Sequence, residues 1–261
     1  MNAETTAAYE GERRITHLTS PQLFRAMQAC GTLILPLGSV EQTGMHCPLG
    51  TDLIVAGKAS IEIAALADCL VAPPLPYADT LELDFWPGTV HAGPEALSPY
   101  LEAAAKSYVK MGFSSLVFLA CHSPNMKTVD VLCRRLHHEG VNVYAIDWWK
   151  AVGSAAKGET DSVEPFGHGG EVITSVMLAL APEGVDIAAA TDESSLPGLS
   201  LVLAHQPDSP FVSYGDFRDY TKSGAWGEVK ATATAEKGRR WFDQAVRDCA
   251  SFILETRTSA R

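Results

Sequence analysis

Five consecutive apolar residues, Leu116–Ala120 (LVFLA), constrain the fold of this chain more than any other feature. The run has no alternation of polar and apolar positions, so a strand made from it is buried on both faces. That burial requires a sheet with helices above and below it. The flanking sequence agrees. Thr32–Leu37 (TLILPL) and 141–146 (VNVYAI) read as further strands. Ser20-Pro21 forms a helix start and Gly31 a stop, which predicts a helix over 20–30. Thr51-Asp52 opens a helix to about Ala67, with Ile54, Ala56, Ile61, Ile63 and Leu66 at broadly helical spacing. Ser98-Pro99 repeats the start signature, for a helix ending at Gly112. Further helices are expected over about 125–139, 170–180 and 234–256, and Leu70–Pro76 is a short extended run limited by its prolines. This β-α-β-α rhythm predicts an α/β fold, a three-layer α/β/α sandwich around a largely parallel sheet.

Composition narrows the function classes. The net charge of −11 argues against nucleic acid as a partner, because phosphate recognition needs a basic face. No apolar run reaches the roughly 18 residues of a membrane span, and MNAETTAAYEGERR has no signal-peptide pattern. Six scattered cysteines without a CxxC pair read as reduced thiols. The expectation is a cytoplasmic protein with no nucleic-acid or membrane partner. No glycine run resembles a P-loop or a dinucleotide fingerprint.

Active sites of open α/β sheets lie beyond the carboxyl ends of the strands. Polar residues gather there: Glu41, His46 and Asp52 after the first strand, His122 after LVFLA, Asp147 after the third. Each has a plain structural reading. Glu41 can be a solvated loop carboxylate, Asp52 a helix N-cap, and His122 a strand-end histidine bonded to backbone. His168, between glycines ahead of a helix, suggests close approach to a ligand. Glu171 fits either proton transfer or a capping box. Cys121 ends a buried strand and reads as a small hydrophobe. Trp86, Trp148 and Trp149 read as packing, with a lid role for Trp148 or Trp149 as the lesser alternative.

Five separated motifs, in order, resemble those of the creatininase (creatinine amidohydrolase) family. They are Gly38–Asp52, Trp86-Pro87-Gly88-Thr89, Ala120–Asn125, Gly167–Glu171 with Thr174-Ser175, and Ser223–Gly227 with Ala231–Gly238. The resemblance implies a creatininase-like fold, one domain over 1–261 with a less regular excursion at about 183–222, and homo-oligomers, often hexamers. It also implies a divalent ion, Zn²⁺, Mn²⁺ or Fe²⁺, held by Glu41, Asp52 and His122. An ion so held acidifies a coordinated water and polarises a carbonyl. His168 and Glu171 would then assist proton transfer and hold a small-molecule substrate.

The sequence departs from the family on the side of a second ion. Thr43 stands where the family has a histidine ligand, Pro124 where creatininase has a carboxylate, and Ile173 where a second glutamate is usual. His46 and Cys47 could rebuild part of that site. The departures point to one ion per chain. The expected reaction is hydrolysis of a C–N bond in a small, cyclic amide. A lactone hydrolase is the alternative within the same chemistry, and a non-catalytic homologue the alternative of another class.

Overall fold

The computed structural model describes residues 11–193, 217–219 and 221–259. Its sheet has four parallel strands in the order β2-β1-β3-β4. These are β1 (Thr32–Leu37), β2 (Leu70–Val71), β3 (Ser115–Ala120) and β4 (Asn142–Asp147). Among the described residues seven α-helices surround them: α1 (Ser20–Cys30), α2 (Thr51–Ala67), α3 (Pro94–Met111), α4 (Asn125–His138), α5 (Trp148–Ala156), α6 (Glu171–Leu180) and α7 (Ala235–Ser259).

Alternate side chains of the central strands enter two separate cores. Ile34, Val117 and Leu119 pack with α2, α5, α6 and α7. Leu33, Leu35, Leu37, Leu116 and Phe118 pack with α1, α3 and α4. The expected three-layer α/β/α sandwich is therefore present, and both faces of LVFLA are covered as its unbroken apolarity requires. Where α6 crosses α7, a methyl group on Gly238 would collide with the Ser175 carbonyl, so only glycine permits that approach.

Two local readings need correction, the start of the third helix and the omission of α5, while the extended run at Leu70–Pro76 is present. The third helix starts at Pro94 behind Gly93, ahead of Ser98-Pro99, and runs through Pro99. Pro94 has the same preset φ for a first turn, and Pro99 lies on the exposed side of a helix whose buried stripe is Leu97, Leu101 and Ala105. The extended run after Cys69 is a strand only over Leu70–Val71; beyond it Ala72 and Leu75 donate singly to Ile34 and Pro36. Helix α5 was not expected. Asp147 caps it by accepting from the Lys150 N–H, and Trp148, Val152 and Ala156 form its buried stripe.

Most of the 183–222 excursion lies outside the described residues. Its described parts include two short 3₁₀ turns, Pro182–Gly184 and Ile187–Ala189. Among the described residues no helix is long and apolar enough to cross a membrane. Strand register sets up the site. Leu37 pairs with Ala120, and Ala120 with Asp147, so three strands end side by side.

Candidate metal centre

The loops leaving those strand ends bring Glu41, Asp52 and His122 together. All three are buried, and one donor atom from each lies within 4.8 Å of the others. No other such cluster of histidine, cysteine and carboxylate donors exists among the described residues. Glu41 sits on the loop after β1 and His122 two residues past β3. Asp52 is the second residue of α2, where the helix dipole favours a carboxylate. It is not the N-cap; Gly50 is. Its side chain turns to the cluster, accepting from Ser39 Oγ at 2.9 Å on Oδ2 and from Trp149 Nε1 at 3.0 Å on Oδ1.

His122 defines the chemistry. Its Nε2 lies 2.8 Å from the Asp79 carbonyl, an acceptor only, so Nε2 carries a proton and donates. In the neutral ring the Nδ1 lone pair then faces Asp52 Oδ2 at 2.9 Å and Glu41 Oε2 at 3.5 Å. A lone pair beside two carboxylates is repulsive unless a cation sits among them. Without a metal ion, protons serve. Burial works against charge on His122, but Glu41 and Asp52 outweigh it and lift its pKa to about 9. Burial raises Glu41 to about 8, against the pull of His122 and with help from Asp52, Glu82 and Asp79. Two carboxylates and an imidazole, with ring orientation fixed from behind by a carbonyl, suit a divalent ion such as zinc or manganese. The Asp79 peptide is itself held, its N–H donating to Asn125 Oδ1 at 3.2 Å.

His168 approaches from the loop ahead of α6. Its Nε2 donates to the Gln42 carbonyl at 2.9 Å, and its own carbonyl accepts from Trp226 N–H at 3.1 Å. Phe217 packs edge-on against the ring, with centroids 5.3 Å apart. Burial lowers its pKa, partly offset by the Gln42 bond and by Asp52. His168 is therefore neutral at physiological pH, with its lone pair on Nδ1. Gly169, at φ +62°, makes the turn that delivers it, and Ala225 and the Thr43 backbone leave no room there for a side chain.

Glu171 is differently placed from its expected role in proton transfer. It is fully buried and accepts from Asp161 N–H (3.0 and 3.1 Å), Ser162 N–H (2.7 Å) and Lys237 Nζ (2.8 Å). These contacts tie the loop that carries His168 to α7; none is with Glu41, Asp52 or His122.

The second-ion positions hold no ligands. The Thr43 hydroxyl donates to the Glu41 carbonyl at 3.3 Å, and Pro124 is the N-cap residue of α4. His46 and Cys47 do not rebuild the site. Both turn to Thr174 Oγ1, at 2.8 and 3.8 Å, and burial pushes the Cys47 thiol up to about 12. Cys121 is fully buried and its thiol raised well above the ordinary range, so it is inert. Sequence reasoning missed Ser39, Asp79, Asn125 and Trp149 as supports of the cluster. Only Trp149 carried a signal, its place two residues beyond the strand-end Asp147.

Comparison with known proteins agrees with this geometry. A profile of the creatininase family, creatinine amidohydrolase, matches residues 16–253. A mycofactocin precursor peptide peptidase of Mycobacterium ulcerans is 32% identical over 231 residues, 85% of this chain and 84% of that protein. The creatinine amidohydrolase of Pseudomonas putida is 27% identical over 254 residues, 89% of this chain and 93% of that protein. Creatininase structures, one with manganese and one of a variant described as of Zn-Zn type, both give TM-scores of 0.75. They are 23% and 22% identical, and each alignment covers 94% of this chain and 98% of the other. With its fold, its strand-end cluster and a family match over nearly its whole length, this chain is a member of the creatininase family of hydrolases.

Proposed function

We propose that this chain is a metal-dependent amidohydrolase that cleaves an amide C–N bond with one divalent ion held by Glu41, Asp52 and His122. One observation carries the proposal. His122 spends Nε2 on the Asp79 carbonyl and aims Nδ1 between two buried carboxylates. When bound, the ion supplies an acidified water and a Lewis acid for the substrate carbonyl. Zinc and manganese are favoured, because creatininase structures contain them.

The protein's own groups account for the rest. Three donors leave coordination positions open to ligands from solution. His168 is the proton-transfer group: Gln42 fixes its Nε2–H, and the Nδ1 lone pair, without a partner among the described residues, accepts a proton and returns it to the leaving nitrogen. Glu171 has a supporting part, holding the loop of His168 through Lys237 and two backbone N–H groups.

The substrate class is an amide. A small cyclic amide follows from the family resemblance. A peptide bond is the second reading, favoured by the relative named as a peptide peptidase at 32% identity. Nothing in the site or among these relatives favours a lactone.

Elemental analysis after loading with zinc or manganese tests the proposal. About one equivalent per chain is expected, abolished by His122→Ala. Activity of the loaded protein is then read on lactams, formamides and short peptides. No metal uptake under replete conditions would sink the idea.

A further inference from the structure

We infer that Trp149 limits this site to one ion by occupying the outer oxygen of Asp52. The inference rests on the metal-dependent reading above and goes beyond it, because it assigns the metal count to a residue that is not a ligand.

The two oxygens of Asp52 face different surroundings. Oδ2 lies 2.9 Å from His122 Nδ1, inside the cluster with Glu41. Oδ1 accepts the indole N–H of Trp149 at 3.0 Å. An ion shared with His122 and Glu41 would bind at Oδ2, and a second ion on the same carboxylate would need Oδ1, where an N–H proton already points. Oδ1 keeps a second lone pair, but an ion there would face the positive end of a fixed donor on the same oxygen; unlike the Ser39 hydroxyl on Oδ2, the indole cannot turn its proton aside. Rotating Asp52 to free Oδ1 would also break the bond that Ser39 Oγ makes to Oδ2 at 2.9 Å.

The indole cannot easily withdraw. Trp149 is the second residue of α5, which starts directly after β4 under the Asp147 cap. Trp148 beside it is fully buried and packs edge-on against Phe242, with centroids 5.2 Å apart. Trp149 itself packs against the same core. Withdrawal would leave an indole N–H without a partner in a half-buried place, which weakens any ion that forces it by about tenfold or more. Thr43 and Pro124 agree with this arrangement, since neither supplies an anionic or imidazole donor.

Manganese stoichiometry and electron paramagnetic resonance of designed variants test the inference. The wild-type chain is expected to bind one Mn²⁺ with a mononuclear spectrum. Restoring donors with T43H and P124E, while keeping Trp149, should still give one ion. Adding W149F to that pair should give two ions and a spin-coupled spectrum. Two ions in the T43H/P124E protein would overturn the inference, as would a folded triple variant that still takes up one. A measurement on the wild type stands beside these in case the triple variant does not fold. On zinc loading, the ¹⁵N-labelled indole of Trp149 should keep its hydrogen-bonded downfield shift through saturation. Release of that N–H, or two zinc ions with the bond intact, would refute the role of Trp149 and leave the hydrolase reading standing. No uptake of any ion by the wild type would refute both.

Discussion

Replacing Lys237 by methionine tests whether Glu171 is a fastener or a reacting group. In the folded chain Glu171 is fully buried and Lys237 is 16% exposed, with 2.8 Å between carboxylate and ammonium. Lys237→Met leaves the carboxylate buried with only the N–H groups of Asp161 and Ser162. Breaking a buried pair from one side costs about 3–5 kcal/mol. The two surviving N–H donors solvate the charge and put the expected loss at the lower end, about 3 kcal/mol. Glu171→Gln is milder, about 1–2 kcal/mol, because Lys237 keeps Asp161 and the Thr232 carbonyl as partners. The double substitution removes both charges and should cost less than the sum by about 1–2 kcal/mol. Chains of this size lose roughly 2–4 °C of Tm per kcal/mol, so Lys237→Met should melt about 6–12 °C lower. Urea and thermal unfolding of the four proteins, with metal content held constant, give the cycle. Additive effects, or a Lys237→Met loss under about 1 kcal/mol, would refute the reasoning.

Stability of the metal-free protein should fall as pH rises from about 5 to 9. The folded-state values of Glu41 and His122 are both raised, to about 8 and about 9, so the native state holds protons that the unfolded chain has released. That contribution is complete below the unfolded values and is lost through the folded ones; melting in EDTA at several pH values checks it, and a divalent ion should remove the trend. His168→Gln should leave metal stoichiometry unchanged while lowering kcat by about 10²–10⁴-fold on whichever amide proves to be the substrate; equal kcat would remove His168 from proton transfer. Gly238→Ala should destabilise the chain by about 3 kcal/mol or prevent folding, since its methyl group has no space against the Ser175 carbonyl. A Tm within a degree or two of the wild type would show that α6 and α7 can separate without cost.

The layers of the fold were legible because burial leaves a pattern. LVFLA could be buried on both faces only in a covered sheet, and the helix periodicities supplied the cover. Helix α5 was not legible from its turn signals, because Asp147 served equally as the end of a strand and as a cap. Glu41, Asp52 and His122 could be found because strand ends converge and because five motifs stood in order. Glu171 could not be judged. A carboxylate one residue into a helix looks alike whether it faces substrate or a lysine far along the chain, and only packing of α6 on α7 decides. Asp79 was invisible for a simpler reason: it acts through its backbone carbonyl, which any residue would have supplied.

The fastening of the His168 loop to α7 also orders events during synthesis. Glu41, Asp52 and His122 all precede residue 123, whereas Lys237 belongs to the last helix. A chain still on the ribosome before α7 emerges carries Glu41, Asp52 and His122 but lacks Lys237 and the Trp241, Phe242 and Ala245 side chains that complete the core beside α2, α5 and α6. Docking of the final helix is then the step that closes that core and fixes the His168 loop together, and a truncation that removes α7 should cost the whole fold and not the loop alone.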